Sequence, residues 1–230
     1  MNSCFFITGT DTGVGKTTAA AALLWAARGR GLSTLGIKPV ASGCERGPNG
    51  LRNEDALCLR AASSVEVAYS QTNPVALEPA IAPHFAARMA GRTLELDGLL
   101  EHCRAMLALG ADFTVFEGAG GWRVPLGARD TFADLARRLA LPVILVVDMR
   151  LGCLNHALLS AGAIAGDGLV LAGWIANVAG QRDHCHDWMV EDLGARLDCP
   201  LLGELPHQPG PMRPQMLASR LDLDKLLAVE

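Results

Sequence analysis

Hydrophobic positions along this chain fall into two alternating patterns. Six short runs are apolar at nearly every position and predict strands at 4–8, 33–38, 113–117, 142–148, 169–177 and 201–205. Between them lie longer amphipathic segments, which predict helices over 16–30, 54–62, 83–90, 94–109, 130–139, 155–166 and 186–197. Strands apolar on both faces belong to a sheet covered on both faces, and strand–helix alternation is the pattern of βαβ units around a parallel sheet. The stretch 45–50, with Gly47, Pro48 and Gly50, reads as a surface turn or flexible loop. No repeat, low-complexity segment or linker divides the sequence, so residues 1–230 are expected to form one α/β domain, a mostly parallel sheet with helices on both faces.

The ends of the strands carry the first functional signal. Thr8, Lys38, Glu117, Asp148 and Asn177 each sit at or near the end of an apolar run. Parallel strands share an orientation, so these residues are expected along one sheet edge, where open α/β folds bind ligands. A polar residue can also simply mark where a strand stops. Five such ends in one chain favour a site.

Composition narrows the class of ligand. Half of the 230 residues are apolar and 19% are charged, enough to bury a sizeable core. The net charge of -4 and a pI near 5.9 supply no basic field for nucleic acid or an anionic membrane, so an anionic ligand must be held by local features. Seven scattered cysteines without a C-x-x-C pair are a poor disulfide framework and point to a reducing compartment. No signal-like segment opens the sequence, and the longest strongly apolar run, 141–147, is too short to span a bilayer. A soluble, cytoplasmic protein is expected.

Between the first strand and the first helix lies Gly9-Thr10-Asp11-Thr12-Gly13-Val14-Gly15-Lys16-Thr17-Thr18, in the setting of a nucleotide phosphate loop. Its glycines let backbone N–H groups turn toward phosphate oxygens, and the helix adds its positive dipole end. Lys16 can reach the β- and γ-phosphates, and the Thr17 hydroxyl can ligate magnesium. The usual spacing has glycine where this chain has Thr10, with Gly9 one residue earlier. The base-reading N-K-x-D of typical GTPases is absent, since Lys16, Lys38 and Lys225 are the only lysines and none follows Asn. ATP is the expected nucleotide.

Further residues limit the reaction. In Lys38-Pro39-Val40-Ala41-Ser42-Gly43 a lysine at a strand end is either solvated or a compact positive charge aimed at a transferring phosphoryl group. Ser42 beside Gly43 reads by itself as a turn residue, and Asp55, opening a helix, suits the dipole there as readily as it suits a metal. Glu117 ahead of Gly118-Ala119-Gly120-Gly121-Trp122 offers a carboxylate for magnesium, with glycines leaving room for a ligand.

These blocks, together with 51–56, 151–157 and 172–177, resemble those of dethiobiotin synthetases, in the family's order and over most of the chain to about Pro206. The resemblance implies a P-loop NTPase-like fold and an ATP- and magnesium-dependent ring closure. In it, 7,8-diaminopelargonate takes up CO2 as a carbamate, ATP phosphorylates the carbamate, and the second amine closes the cyclic urea of dethiobiotin. By position it implies Thr17, Asp55 and Glu117 as metal ligands, with Thr12, Lys38 and Ser42 on the carbamate or diamine. Gly13, Val14, Gly15, Lys16, Thr17 and Thr18 would surround the phosphates, with Gly118, Ala119 and Gly120 completing the nucleotide site. Asn177, Pro206, His207 and Gln208 would meet adenine. The block at 151–155, with Asn155, would reach the substrate carboxylate of a neighbouring subunit, which implies a homodimer. Gly13 stands where some members carry an acid, and Ala82 where a serine is common, so contacts from those side chains are absent here.

His184-Cys185-His186 could suggest a metal, but without a second ligand cluster it reads as a surface loop. A nucleotide-switched partitioning or positioning ATPase is the rival reading. Such proteins often carry a signature lysine early in the phosphate loop, where this chain has Thr10, Asp11 and Thr12.

Overall fold

The structure, a computed structural model, describes residues 2–227. Strand β1 (Ser3–Gly9) leads into α1 (Lys16–Gly29), then β2 (Thr34–Ile37) and the short β3 (Val40–Ala41). A small hairpin, β4 (Glu45–Gly47) with β5 (Gly50–Arg52), precedes α2 (Glu54–Ala62), α3 (Tyr69–Thr72), β6 (Val75–Ala76), α4 (Pro83–Met89) and α5 (Leu96–Leu107). The second half runs β7 (Phe113–Gly121), α6 (Phe132–Leu139), β8 (Val143–Asp148), α7 (Cys153–Gly166), β9 (Leu171–Asn177), α8 (His186–Arg196) and β10 (Leu201–Leu205). A 3₁₀ segment, Pro214–Arg220, and α9 (Asp224–Leu227) follow. None of these helices is long and apolar enough to cross a membrane.

Six strands form one parallel sheet in the order β10-β9-β8-β1-β7-β2. Successive side chains of β1 point to opposite faces, so Phe5 and Ile7 pack with α1 and α2 while Phe6 packs with α5 and α6. In β8, Ile144 and Val146 join the first layer, and Leu145 and Val147 meet α7 and α8 in the other. The expected sheet with helices on both faces is what these runs build. Alanines at 19–22 let α1 lie close against the strands, each fully buried.

β1 lies between β7 and β8, while its chain neighbour β2 sits beyond β7. This is a topological switch point, and the loop leaving β1 opens into the crevice it creates.

Two expectations are corrected here. The stretch 45–50 belongs to a β-hairpin, because Glu45 pairs with Arg52 and Gly47 with Gly50 around the Pro48-Asn49 turn. Its strands carry no buried apolar alternation and so gave no strand pattern. β7 does not stop at Glu117 but continues to Gly121, which pairs with Gly9 of β1 across a register shift. Ladder pairing overrides the low strand propensity of the glycines. The starts of α5, α6 and α7 differ from expectation by two residues. In α6 a capping box sets the start: Thr131 accepts from the Asp134 N–H while the Asp134 carboxylate accepts from the Thr131 N–H.

Candidate active site

The loop from Thr10 to Gly15 turns back over the start of α1. Gly15 is the N-cap residue in the left-handed region at φ 90°. No acidic residue occupies the first turn of α1, whose positive end attracts an anion. A side chain at Gly15 would run into Asn177, since a Cβ there would lie 2.2 Å from Asn177 Nδ2. Asn177 in turn donates from Nδ2 to the Val14 carbonyl at 2.9 Å, so the end of β9 clasps the loop. Lys16 is buried and donates to the Asp11 carbonyl at 2.8 Å. Burial, then the nearby Lys38 charge, pushes its ammonium down to about 8.

Beside the loop lies a buried charge cluster. Lys38 Nζ is 2.6 Å from Glu117 Oε1 and 2.9 Å from Asp55 Oδ2, and it also donates to the Gly118 carbonyl at 3.2 Å. Thr17 Oγ1 donates to the same Glu117 oxygen at 2.8 Å. Burial opposes charge on Lys38, but the two carboxylates overcome it and hold the ammonium above its usual value. Burial opposes the Asp55 charge as well, yet Lys38 wins and holds that carboxyl below its usual value. Glu117 is fully enclosed, and burial, with repulsion from Asp55, pushes its carboxyl up despite Lys38. Glu117 Oε2 is buried and finds no hydrogen-bond partner among the described residues. A buried oxygen without a partner is costly and suits a group that completes its coordination on ligand binding.

These residues face one crevice of about 740 Å³. Of the residues expected in the site, Thr12, Gly13, Gly15, Lys16, Thr17 and Thr18 line it from the loop and α1. Lys38, Ser42, Asp55, Glu117, Ala119 and Gly120 form its flank, and Asn177, Pro206, His207 and Gln208 its far end. Three expected residues do not line it. Val14 points into the core at 2% exposure, Gly118 contributes only its carbonyl to Lys38, and Asn155 is exposed on the first turn of α7. Two of the five strand-end residues also stay out: Thr8 is buried within β1, and Asp148 accepts from the Ala179 N–H at 3.0 Å and pairs with Arg150.

An apolar wall was not legible beforehand. Ile81 and Pro83 at the head of α4, Val124 after β7, and Met212 and Leu217 beyond β10 line the same crevice. No periodic pattern marks them, because loops, the first residue of α4 and a 3₁₀ segment bring them there one by one. Asp183, His184 and Cys185 do bring ligand atoms within 4.8 Å of one another. There the Asp183 carboxylate already accepts from the Cys185 N–H at 2.8 Å, and His186 turns inward to Glu204 at 2.7 Å. These contacts are those of a helix-opening turn.

Comparison with known proteins gives a consistent picture. The family model described as an AAA domain matches residues 4–215. The ATP-dependent dethiobiotin synthetase BioD of Pseudomonas aeruginosa is 57% identical over 222 residues, 96% of this chain and 97% of that protein. The same-named protein of Cellvibrio japonicus is 57% identical over 203 residues, 88% of this chain and 89% of its own length. Among solved structures, the septum site-determining protein MinD of Pyrococcus horikoshii, complexed with Mg-ADP, aligns with a TM-score of 0.58 at 18% identity. That alignment covers 100% of this chain and 90% of MinD, and it speaks for the P-loop NTPase fold alone. A loop built for phosphate, a crevice at the switch point and more than half the sequence in common over nearly the whole length lead to one conclusion: this chain belongs to the ATP-dependent dethiobiotin synthetases, nucleotide-binding ligases of biotin biosynthesis.

Proposed function

We propose that this enzyme closes the ring of dethiobiotin from 7,8-diaminopelargonate, CO2 and ATP. One amine of the diamine adds to CO2 and loses a proton, giving a carbamate. A carbamate oxygen takes the γ-phosphoryl group of ATP, releasing ADP. The second amine then attacks the carbamate carbon, the C–O bond to phosphate breaks, and the cyclic urea and inorganic phosphate leave after loss of the amine's proton. Carbamate and triphosphate are both anionic, so the barrier is largely one of bringing them together and offsetting the charge.

The observation that supports this reading is Lys38. Its ammonium, 3% exposed at residue level, lies in the same crevice as the phosphate loop and is held between two carboxylates. Such a fixed cation is suited to an anion that must approach the γ-phosphate. Lys16 and the N–H groups at the start of α1 would hold the phosphates, while Thr12 and Ser42 would bind the carbamate or diamine. Asn177, Pro206, His207 and Gln208 would enclose the adenine.

The oxygen donors of Thr17, Asp55 and Glu117, one of them unpartnered, fit a hard divalent ion such as magnesium. Magnesium held there would supply positive charge to the β- and γ-phosphates. Asn155, exposed and away from the crevice of its own subunit, suits contact with the substrate of a second copy, and we read the active species as a homodimer.

The test is product formation with single components left out. Mass spectrometry is expected to find dethiobiotin, with ADP and phosphate in equal amount, only when diamine, bicarbonate, ATP and magnesium are all present. ATP hydrolysis that ignores the diamine but responds to lipid or DNA would replace this reading with that of a nucleotide-switched ATPase.

A further inference from the structure

The chain's single tyrosine, Tyr69, lies outside the crevice, yet its hydroxyl joins the cap of α2, which carries Asp55, to Asn73, which holds the Lys38 backbone. It accepts from the Asn53 N–H at 2.8 Å and donates to Asn73 Oδ1 at 3.1 Å. Asn73 is 3% exposed and spends its amide on two carbonyls, that of Lys38 at 2.8 Å and that of Val75 at 3.0 Å. The Lys38 N–H donates to the carbonyl of Thr72 at 2.8 Å. Both main-chain polar groups of Lys38 are therefore held by residues 72 and 73. On the other side, Asn53 is the N-cap of α2, its Oδ1 accepting from the Ala56 N–H at 3.2 Å and its Nδ2 donating to the Ser42 carbonyl at 3.4 Å. Asp55, which pairs with the Lys38 ammonium, is the second residue of that helix.

We infer that Tyr69 is a positioning residue: through Asn73 and Asn53 it fixes the Lys38 backbone relative to the cap of α2, and so sets the Lys38–Asp55 pair. This rests on the role given above to Lys38. A lysine side chain has four rotatable bonds, and its ammonium stays at one point only if the backbone below it and the partners above it are both fixed. Along this path the hydroxyl joins Asn73 to the Asn53 N–H, and it acts beside the Asn53 Nδ2 bond to the Ser42 carbonyl. The Arg52 guanidinium, 4.1 Å from the centre of the ring, holds the ring itself in place by stacking and does not need the hydroxyl.

Tyr69→Phe therefore removes the link and leaves the ring, its packing and its stacking. Turnover is expected to fall about tenfold, with KM for ATP within about twofold of wild type. Asn73→Ala breaks the next link and must give the same pattern. In a Lys38→Ala background, Tyr69→Phe is expected to cause no further loss, because residues acting through one group are not additive. Hydrogen exchange read by mass spectrometry gives an arm that needs no substrate: peptides covering 36–44 and 52–58 are expected to exchange faster together in Tyr69→Phe, with the rest unchanged. A variant with wild-type turnover and wild-type exchange overturns the proposal, and so does a full tenfold loss on top of Lys38→Ala. If the wild-type enzyme forms no dethiobiotin, the proposed reaction falls, and the exchange arm still decides whether Tyr69 joins the two segments.

Discussion

Lys38→Ala is expected to lower turnover by roughly a hundredfold or more, about 3 kcal/mol of transition-state stabilisation, while affinity for ATP changes little. Lys16→Ala is expected to lose both. The difference follows from where each ammonium sits. Lys16 opens α1 and is held at the phosphate loop by the Asp11 carbonyl. Lys38 enters from the end of β2 and is paired with Glu117 and Asp55. An interaction made mainly in the transition state lowers turnover without weakening ground-state binding. Removing Lys38 also leaves Glu117 without its cation, and breaking a buried pair typically costs about 3–5 kcal/mol of stability. The raised carboxyl of Glu117 can soften that cost by taking up a proton. Calorimetric titration of ATP into both variants, with steady-state rates and a melting curve to confirm folding, separates the effects. Normal turnover in Lys38→Ala would make the lysine a buried structural cation and remove it from the reaction.

The second large effect is expected at Gly15. Its φ of 90° lies in the left-handed region, which costs a residue with a side chain about 1–2 kcal/mol. An alanine Cβ would also stand 2.2 Å from Asn177 Nδ2, so the Asn177–Val14 hydrogen bond must break or the loop must move. The loop N–H groups would then no longer converge on one phosphate. Gly15→Ala is expected to weaken ATP binding about thirtyfold or more with the sheet intact, measured by the same calorimetry against circular dichroism. Binding at wild-type strength would mean that the clasp from β9 has no part in shaping the loop.

Much of this was legible in the sequence for identifiable reasons. The core strands declared themselves because a sheet covered on both faces needs apolar residues at every position. The loop declared itself because phosphate recognition by backbone N–H groups demands glycines at fixed places. Lys38, Asp55 and Glu117 were legible as candidates, but their contact was not. It depends on β2, β7 and α2 meeting side by side, a tertiary fact without a local pattern. The hairpin at 45–52 was hidden because its exposed strands bury nothing, and the end of β7 because its glycines argue against a strand that only pairing with β1 sustains. Tyr69 and Asn73 gave no signal at all: a hydroxyl reaching a backbone N–H sixteen residues away follows no period.

If ATP activates a carbamate oxygen, that oxygen must end in the phosphate released. With 18O-labelled CO2 in unlabelled water, the carbamate begins with two labelled oxygens. If phosphoryl transfer to one of them precedes ring closure, that oxygen leaves with phosphate and the other stays in the urea. Mass spectrometry of both products over a short reaction, before CO2 exchanges with water, is predicted to find one labelled oxygen in phosphate for each dethiobiotin formed. Dethiobiotin formed alongside unlabelled phosphate would exclude a phosphorylated carbamate, because ATP would then be cleaved by water and not by the carbamate.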